Sequence, residues 1–275
     1  MGKLIDGDDG LKAEDVGGWV EDKHCLLRRY VDTSKGVRSK WLGPGKAGAT
    51  FIDLFCGPGR AWDRDHKKFI DGGVVAAWKE SVAGGFPFSQ VLIADLDTER
   101  RELARTRLVR LGAPVTVLEG SAIDAASQLR SILKPKSLHF AFLDPYNLRA
   151  LDFGIIRTLS EYQYIDILIH LDQMDHQRNW AANSTAENSA FDVFAPGWRD
   201  VVDLEGGPLN VRTQVFQYWR DLVARFGAWP STEMKLMTAN KNQPLYWMLL
   251  AAKHDIAHRF WSSASNVEGQ AKFDF

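Results

Sequence analysis

The stretch Phe51-Ile52-Asp53-Leu54-Phe55-Cys56-Gly57-Pro58-Gly59-Arg60 decides the fold. An apolar run with one acid in it stops at Gly-Pro-Gly, which reads as a buried strand over 51–55 entering a tight turn. Gly57 and Gly59 have no Cβ, so the backbone can turn sharply there and a ligand can approach it closely. Asp53 is a carboxylate in an apolar strand, and keeping it ionised without a partner would cost several kcal/mol, roughly. Two readings follow. The segment is a strand, a turn and a helix-capping acid, or it is the ligand loop of an open α/β sheet. Such sheets bind ligands at the carboxyl ends of their strands, where strand order reverses.

Downstream, strands and helices alternate. Val91–Ala94 is a second strand ending at Asp95, with Asp97 or Thr98 to cap a helix that runs to about Leu111 and stops at Gly112. The arginines of that helix, Arg100, Arg101, Arg105, Arg107 and Arg110, are expected to point mostly outward as a solvated face. Val115–Leu118 is a third strand, ending at Glu119-Gly120-Ser121 before a helix from about Ala122 to Leu133. Leu138–Leu143 is a fourth, ending at Asp144-Pro145-Tyr146-Asn147; a helix near 152–161 then leads to a fifth strand over 165–171. Nearly all-apolar strands alternating with helices indicate a parallel sheet covered on both faces. Right-handed crossovers place every strand's carboxyl end on one edge. Asp53–Gly59, Asp95, Glu119–Ser121 and Asp144–Asn147 therefore share one rim.

Upstream, residues 1–17 are acidic and glycine-rich and are expected to form a flexible arm. Trp19, Val20, Lys23, Leu26, Leu27, Tyr30 and Val31 fall on one face of an amphipathic helix. Residues 42–50 are a loop, and residues 60–73, carrying Arg60, Arg64, His66, Lys67 and Lys68, are expected to be a solvated one. A helix over 73–83 ends at Gly84-Gly85. Beyond the fifth strand the rhythm breaks. Residues 172–210 are polar and irregular, with Trp180 and Trp198 read as core, and 210–226 form a helix stopped by Gly227. Two strands, 233–239 and 245–252, are joined closely enough to be an antiparallel pair, and a helix follows at about 254–264.

The 275 residues suit a single domain over 18–275 with a recognition insertion at about 178–228, and 45% hydrophobic content is enough for its core. A net charge of -1 excludes a broad basic footprint, while a local patch for nucleic acid is still allowed. Two distant cysteines, Cys25 and Cys56, argue against a disulfide scaffold and for a reducing cytoplasm. No apolar run reaches the ~18 residues of a membrane span, and the first ten residues hold no signal-peptide core, so a cytoplasmic protein off the membrane is expected.

Three ligand classes use such a rim. The chain has no Gly-x-x-x-x-Gly-Lys-Ser/Thr for a nucleoside triphosphate, and Gly57-x-Gly59 is followed by Trp62 where a dinucleotide loop needs a third small residue. S-adenosylmethionine is the class that remains. Asp-Leu-Phe-Cys-Gly-Pro-Gly at 53–59 resembles the first motif of class I methyltransferases. Asp95 stands where that family keeps its ribose-binding acid, Asp144-Pro145-Tyr146 where it keeps its fourth motif, and the late antiparallel pair where it keeps strands six and seven. A closer resemblance is to the three-Cys-motif partner proteins, carried by Phe-Ile-Asp-Leu-Phe-Cys-Gly-Pro-Gly-Arg, Phe-Leu-Asp-Pro-Tyr, Arg178-Asn179 and Leu-Tyr-Trp-Met-Leu-Leu-Ala-Ala-Lys-His at 245–254. The chain has Phe55 where the usual loop has glycine, Ser121 beside Glu119 where an acid is usual, and a single proline after Asp144.

The resemblance implies a Rossmann-like fold of seven mostly parallel strands with one antiparallel, helices on both faces, and S-adenosylmethionine as cofactor. The cofactor site would be Asp53, Phe55, Cys56, Gly57, Pro58, Gly59, Asp95, Leu96, Ser121, Ala122 and Asp144; Asp144, Pro145 and Tyr146 would receive the methyl acceptor, for instance a nucleobase nitrogen. It also implies a partner protein carrying a three-cysteine motif. Three functions are carried forward: a methyltransferase; a non-catalytic partner subunit of the same fold; and a metal-dependent hydrolase or nuclease. The last rests on His170, Asp172, Asp175 and His176, which are otherwise a polar loop shaping the acceptor pocket, with no metal expected.

Overall fold

The computed structural model describes residues 2–172, 186–239, 243–266 and 272–273. The chain opens with an antiparallel hairpin, β1 (Leu4–Asp6) and β2 (Lys12–Val16), followed by helix α1 (Trp19–Thr33) and the short α2 (Lys35–Arg38). Strand β3 (Ala49–Asp53) leads through the Gly57–Gly59 turn into a second hairpin, β4 (Arg60–Asp63) and β5 (Lys68–Asp71), then α3 (Gly73–Ala83) and β6 (Gln90–Ile93). Next come α4 (Thr98–Arg110), β7 (Val115–Val117), α5 (Ala122–Ile132), β8 (Leu138–Leu143), α6 (Phe153–Leu159) and β9 (Ile165–Asp172). The remainder holds α7 (Ala190–Phe194), α8 (Gly207–Arg225), β10 (Trp229–Pro230), β11 (Met234–Ala239), β12 (Gln243–Ala252), α9 (Asp255–Ser265) and β13 (Lys272–Phe273).

The main sheet runs β13-β11-β12-β9-β8-β3-β6-β7, with β10 added against β12. From β7 to β9 every neighbouring pair is parallel, and β12 runs antiparallel to both β9 and β11. Seven of its nine strands, β11-β12-β9-β8-β3-β6-β7, make the one-reversed arrangement expected from the sequence, the two-residue β10 and β13 extend it, and the fold is the Rossmann-like α/β class. Apart from the edge strand β7, the parallel strands are buried on both sides. Ile52, Leu92, Ala141 and Ile167 face one apolar cluster with α5, α6 and α8; Phe51, Val91, Phe140 and Leu168 face the other, with α1, α3 and α9. Trp198 and Trp219 are fully buried in the first cluster, so Trp198 is core as read; Trp180 lies outside the described residues.

Three expectations are corrected. Residues 1–17 are not a flexible arm, because β2 pairs in parallel with β4 and the two hairpins form a separate four-stranded sheet in the order β1-β2-β4-β5. For the same reason residues 60–73 are not simply a solvated loop, since only their tip, Arg64–Lys68, is fully exposed. Nor do the arginines of α4 all face water: Arg100, Arg101 and Arg107 are buried, because acids outside the helix cover them. Glu14 pairs with Arg100 (2.8 Å), Glu119 with Arg101 (2.7 Å) and Asp9 with Arg107 (2.7 Å). Strand β3 also begins and ends two residues earlier than read, which leaves Leu54 and Phe55 in the turn. Among the described residues no helix is long and apolar enough to cross a membrane.

Candidate functional site

The topology turns at β3. From there the chain goes to β6 and β7 on one side, then returns to β8 and β9 on the other, so the loop after β3 opens at the crevice where open α/β sheets bind ligands. Gly57 and Gly59 both take left-handed backbone conformations (φ 56° and 78°), which glycine adopts without strain. A Cβ on Gly59 would stand 3.1 Å from Val75 Cγ2 and 3.3 Å from the Ala104 backbone, so the turn is pressed between α3 and α4. The Gly57 amide donates to Asp95 Oδ2 (3.0 Å) and the Asp97 amide to Asp95 Oδ1 (2.9 Å). Asp97 is the helix cap, accepting from the amides of Glu99 and Arg100. Asp95 therefore joins the ends of β3 and β6. Burial raises its carboxyl, against those two amides, which lower it. Asp53 is buried and accepts from the Phe55 amide (3.0 Å); burial pushes its carboxyl well above the ordinary range.

These residues open onto a cavity of about 400 Å³, whose floor is Asp53, Cys56, Gly57 and Asp144 and whose roof comes from the amino-terminal hairpin and the start of α1. Gly2, Glu14 and Arg100 line the hairpin side, where Glu14 receives the Gly2 amide (2.6 Å) and Arg100 donates to the Gly2 carbonyl. On the opposite side Lys23 Nζ stands 2.5 Å from Asp144 Oδ2, and His170 Nδ1 lies 2.8 Å from Asp144 Oδ1 without the alignment of a hydrogen bond. Burial alone would raise the Asp144 carboxyl; the charges of Lys23 and His170 outweigh it and hold the group below the usual carboxylate range. Among the described residues His170 Nε2 has no hydrogen-bond partner, and the ring meets Tyr246 edge-on at 4.3 Å. Tyr246 in turn donates to the Trp19 carbonyl (2.8 Å), which fixes the start of α1 to β12. His24, one residue past Lys23, is buried, and its Nδ1 has no hydrogen-bond partner among the described residues; burial and the Lys23 charge lower the ring to about 3.

The predicted site residues fall into two adjoining cavities. Asp53, Phe55, Cys56, Gly57, Pro58, Gly59, Asp95, Asp144, Pro145 and Tyr146 line the first. Leu96, Ser121 and Ala122 do not reach it; they line a second cavity of about 290 Å³ together with Phe55 and Tyr146. The rings of Phe55 and Tyr146 meet edge-on, with centroids 6.2 Å apart, and form the wall common to both. Ser121 is the cap of α5, in a reciprocal pair with Asp124. The departure of Phe55 from a glycine thus places an aromatic partition between the cavities.

Sequence reasoning passed over Lys23, His24, Glu14 and Arg100. The signal for Lys23 was present, because a lysine on the apolar face of an amphipathic helix needs a buried partner. Glu14 and Arg100 gave no comparable signal, since the hairpin carrying Glu14 was read as an arm. Of the proposed metal cluster, His170 belongs to the Asp144 group, while Asp175 and His176 lie outside the described residues and nothing is described of the Asp172 side chain. Among the described residues no group of three acids, histidines or cysteines could hold a metal.

An adenosyl amino acid suits this shape on two counts. The Gly57–Gly59 turn presents backbone where a Cβ is missing, and an apolar compartment with Leu96 and Ala122 adjoins a polar one with Asp53, Glu14 and Arg100. No protein-family model matches the chain, and no curated protein matches it. Several solved structures have a similar backbone. A protein of Legionella pneumophila is 10% identical, with 91% of this chain and 95% of that one covered and a TM-score of 0.49. The O-methyltransferase TomG of Streptomyces achromogenes, solved in complex with S-adenosylmethionine, is 12% identical, with 85% and 80% covered and a TM-score of 0.48. An O-methyltransferase of Bacillus cereus, solved in complex with S-adenosylhomocysteine, is 12% identical, with 84% and 81% covered and a TM-score of 0.45.

Proposed function

We propose that the chain is an S-adenosylmethionine-dependent methyltransferase, and the observation that carries this reading is the glycine turn at the strand-order switch, tied by Asp95 to the end of the next strand. Each Asp95 oxygen accepts one backbone amide and keeps a second lone pair for a ribose hydroxyl. Phe55, Leu96, Ser121 and Ala122 would enclose the adenine, and the Gly57–Gly59 backbone would meet the amino-acid end. Bound there, the cofactor supplies an electrophilic sulfonium methyl group. The chain's own work is to align the acceptor and to take its proton.

Asp144, Pro145 and Tyr146 lie on the wall where an acceptor would dock. Asp144 stays ionised and already holds Lys23 and His170, so it orients other groups and is itself a poor base. His170 keeps Nδ1 2.8 Å from that carboxylate, which leaves Nε2 of the neutral ring as the atom placed to receive a proton from a nucleobase nitrogen or a hydroxyl. A three-cysteine-motif partner would present that acceptor, docking over residues 186–228, where Val201, Leu204 and Leu209 stand exposed.

Calorimetric titration of the full chain with S-adenosylmethionine and S-adenosylhomocysteine tests the reading. Micromolar binding is expected, with Asp95→Ala weakening it by about tenfold or more, about 1.4 kcal/mol. A folded protein that binds neither compound overturns the stand-alone enzyme and leaves the non-catalytic partner subunit.

A further inference from the structure

A third cavity lies at the opposite edge of the sheet from the rim. It has a volume of about 210 Å³ and sits between the end of α1, α2 and the start of α9, over the first residues of β8 and β9. That is room for a single ring and falls short of the ~300–1,000 Å³ typical of sites for larger ligands. Its walls are aromatic. Trp41 packs on Tyr164 (centroids 4.6 Å apart), Tyr164 stacks on His254 (5.6 Å, planes 16° apart), and Phe88 and Phe140 complete the box.

Two charged groups break this apolar lining. Arg38 is 1% exposed. Its Nε donates to the Phe86 carbonyl (2.6 Å) and its Nη1 to the Val31 carbonyl (2.9 Å), while Nη2 has no hydrogen-bond partner among the described residues. The guanidinium lies 4.7 Å from the Phe88 ring centroid. The carboxylates whose fields reach it are those of Asp32 and Glu80, and Asp32 is already paired with Lys35. A cation this deeply buried is normally matched by a carboxylate or phosphate. Asp166 is the second group. Its Oδ2 accepts from the Tyr30 hydroxyl (2.8 Å), and burial lifts its carboxyl to about 6. Neither group touches the residues of the proposed methyl-transfer site.

We infer that this cavity is a binding site for a small planar aromatic acid that also carries an N–H donor, with its carboxylate on Arg38, its ring among the aromatic walls and its N–H on Asp166. The test is calorimetry on the full chain with 4-aminobenzoate as probe, and with benzoate and aniline as its two halves. The expected result is saturable binding of 4-aminobenzoate, tighter than either half. Arg38→Gln should weaken 4-aminobenzoate and benzoate by about tenfold or more and leave aniline unchanged, because charge-assisted hydrogen bonds are the strong ones. Asp166→Asn should remove the advantage of 4-aminobenzoate over benzoate. Arg38 also holds two backbone carbonyls, so Ile256→Trp, at an exposed position of the cavity's lining, provides a block that leaves those contacts intact and should abolish binding. Asp95→Ala should leave 4-aminobenzoate binding unaltered, which separates this site from the rim. Absence of saturable binding by the folded wild-type chain overturns the inference. So does binding that survives Arg38→Gln, Asp166→Asn and Ile256→Trp undiminished.

Discussion

At the scale of single residues, Lys23 has the largest consequences. Five of its neighbours on α1 are buried in the core, and Lys23 comes with them because Asp144 waits 121 positions later in the chain. Lys23 is buried and Asp144 mostly so, and removing the lysine leaves the carboxylate with only His170 to offset its desolvation. Lys23→Met is expected to destabilise the fold by about 3 kcal/mol, read from urea unfolding, and adding Asp144→Asn should recover part of that loss. The glycines and Asp95 were legible in the sequence because their roles are local: a turn, and the acid at the end of the next strand. Lys23 and Arg100 were less legible, because each depends on a partner that only tertiary structure brings near.

Among elements, the amino-terminal hairpin departs furthest from its sequence reading. Its strands are only 3 and 5 residues long and show little alternation, and β2 finds its parallel partner in β4, across the whole of α1 and β3. Neither strand contains enough apolar surface to announce itself. Charge holds it in place. Asp9 grips the buried Arg107 with both oxygens (2.7 and 2.8 Å), and Arg107 passes the contact on to the Pro58 carbonyl (2.6 Å) in the glycine turn. The Lys12–Glu99 pair of the same hairpin is exposed on both sides. The two pairs should therefore behave differently on truncation. Asp9→Ala is expected to cost about 3 kcal/mol, since it strands a buried guanidinium, whereas Lys12→Ala, at a solvent-exposed pair, should leave the unfolding midpoint close to wild type. Urea titrations of both variants at matched ionic strength check this. The α/β alternation was legible because each strand–helix unit announces itself by period, and the sheet order then follows from right-handed connections.

Across the whole molecule, buried titratable groups pull stability in opposite directions with pH. His24 is held near 3 by burial and by Lys23, far below its ordinary 6.5. Below pH 6.5 the unfolded chain takes up this proton and the folded chain does not, so stability is lost as pH falls, by about 1.4 kcal/mol per unit. Asp166 works the other way. Its folded value, about 6, lies above the ordinary 3.8, so the folded chain binds the proton first and gains stability as pH falls through 6. His24→Asn should accordingly show a pH dependence between 7 and 5 that differs from wild type by about 2 kcal/mol in the direction of greater acid tolerance, measured by urea unfolding at both values. These shifts were not legible in the sequence. Whether a histidine is buried neutral depends on which face of α1 meets the sheet and on what is packed over it.

The cavity wall also carries a consequence for how the molecule comes to exist. Lys23 meets a residue 121 positions away, and Tyr246 reaches back 227 positions to Trp19. Contacts this distant in sequence must wait for long stretches of chain to close, which slows folding relative to proteins built from local contacts. The cavity exists only when these distant segments have met, so a ligand that fits it binds the folded chain, and its binding reports on that long-range closure, which helix content does not.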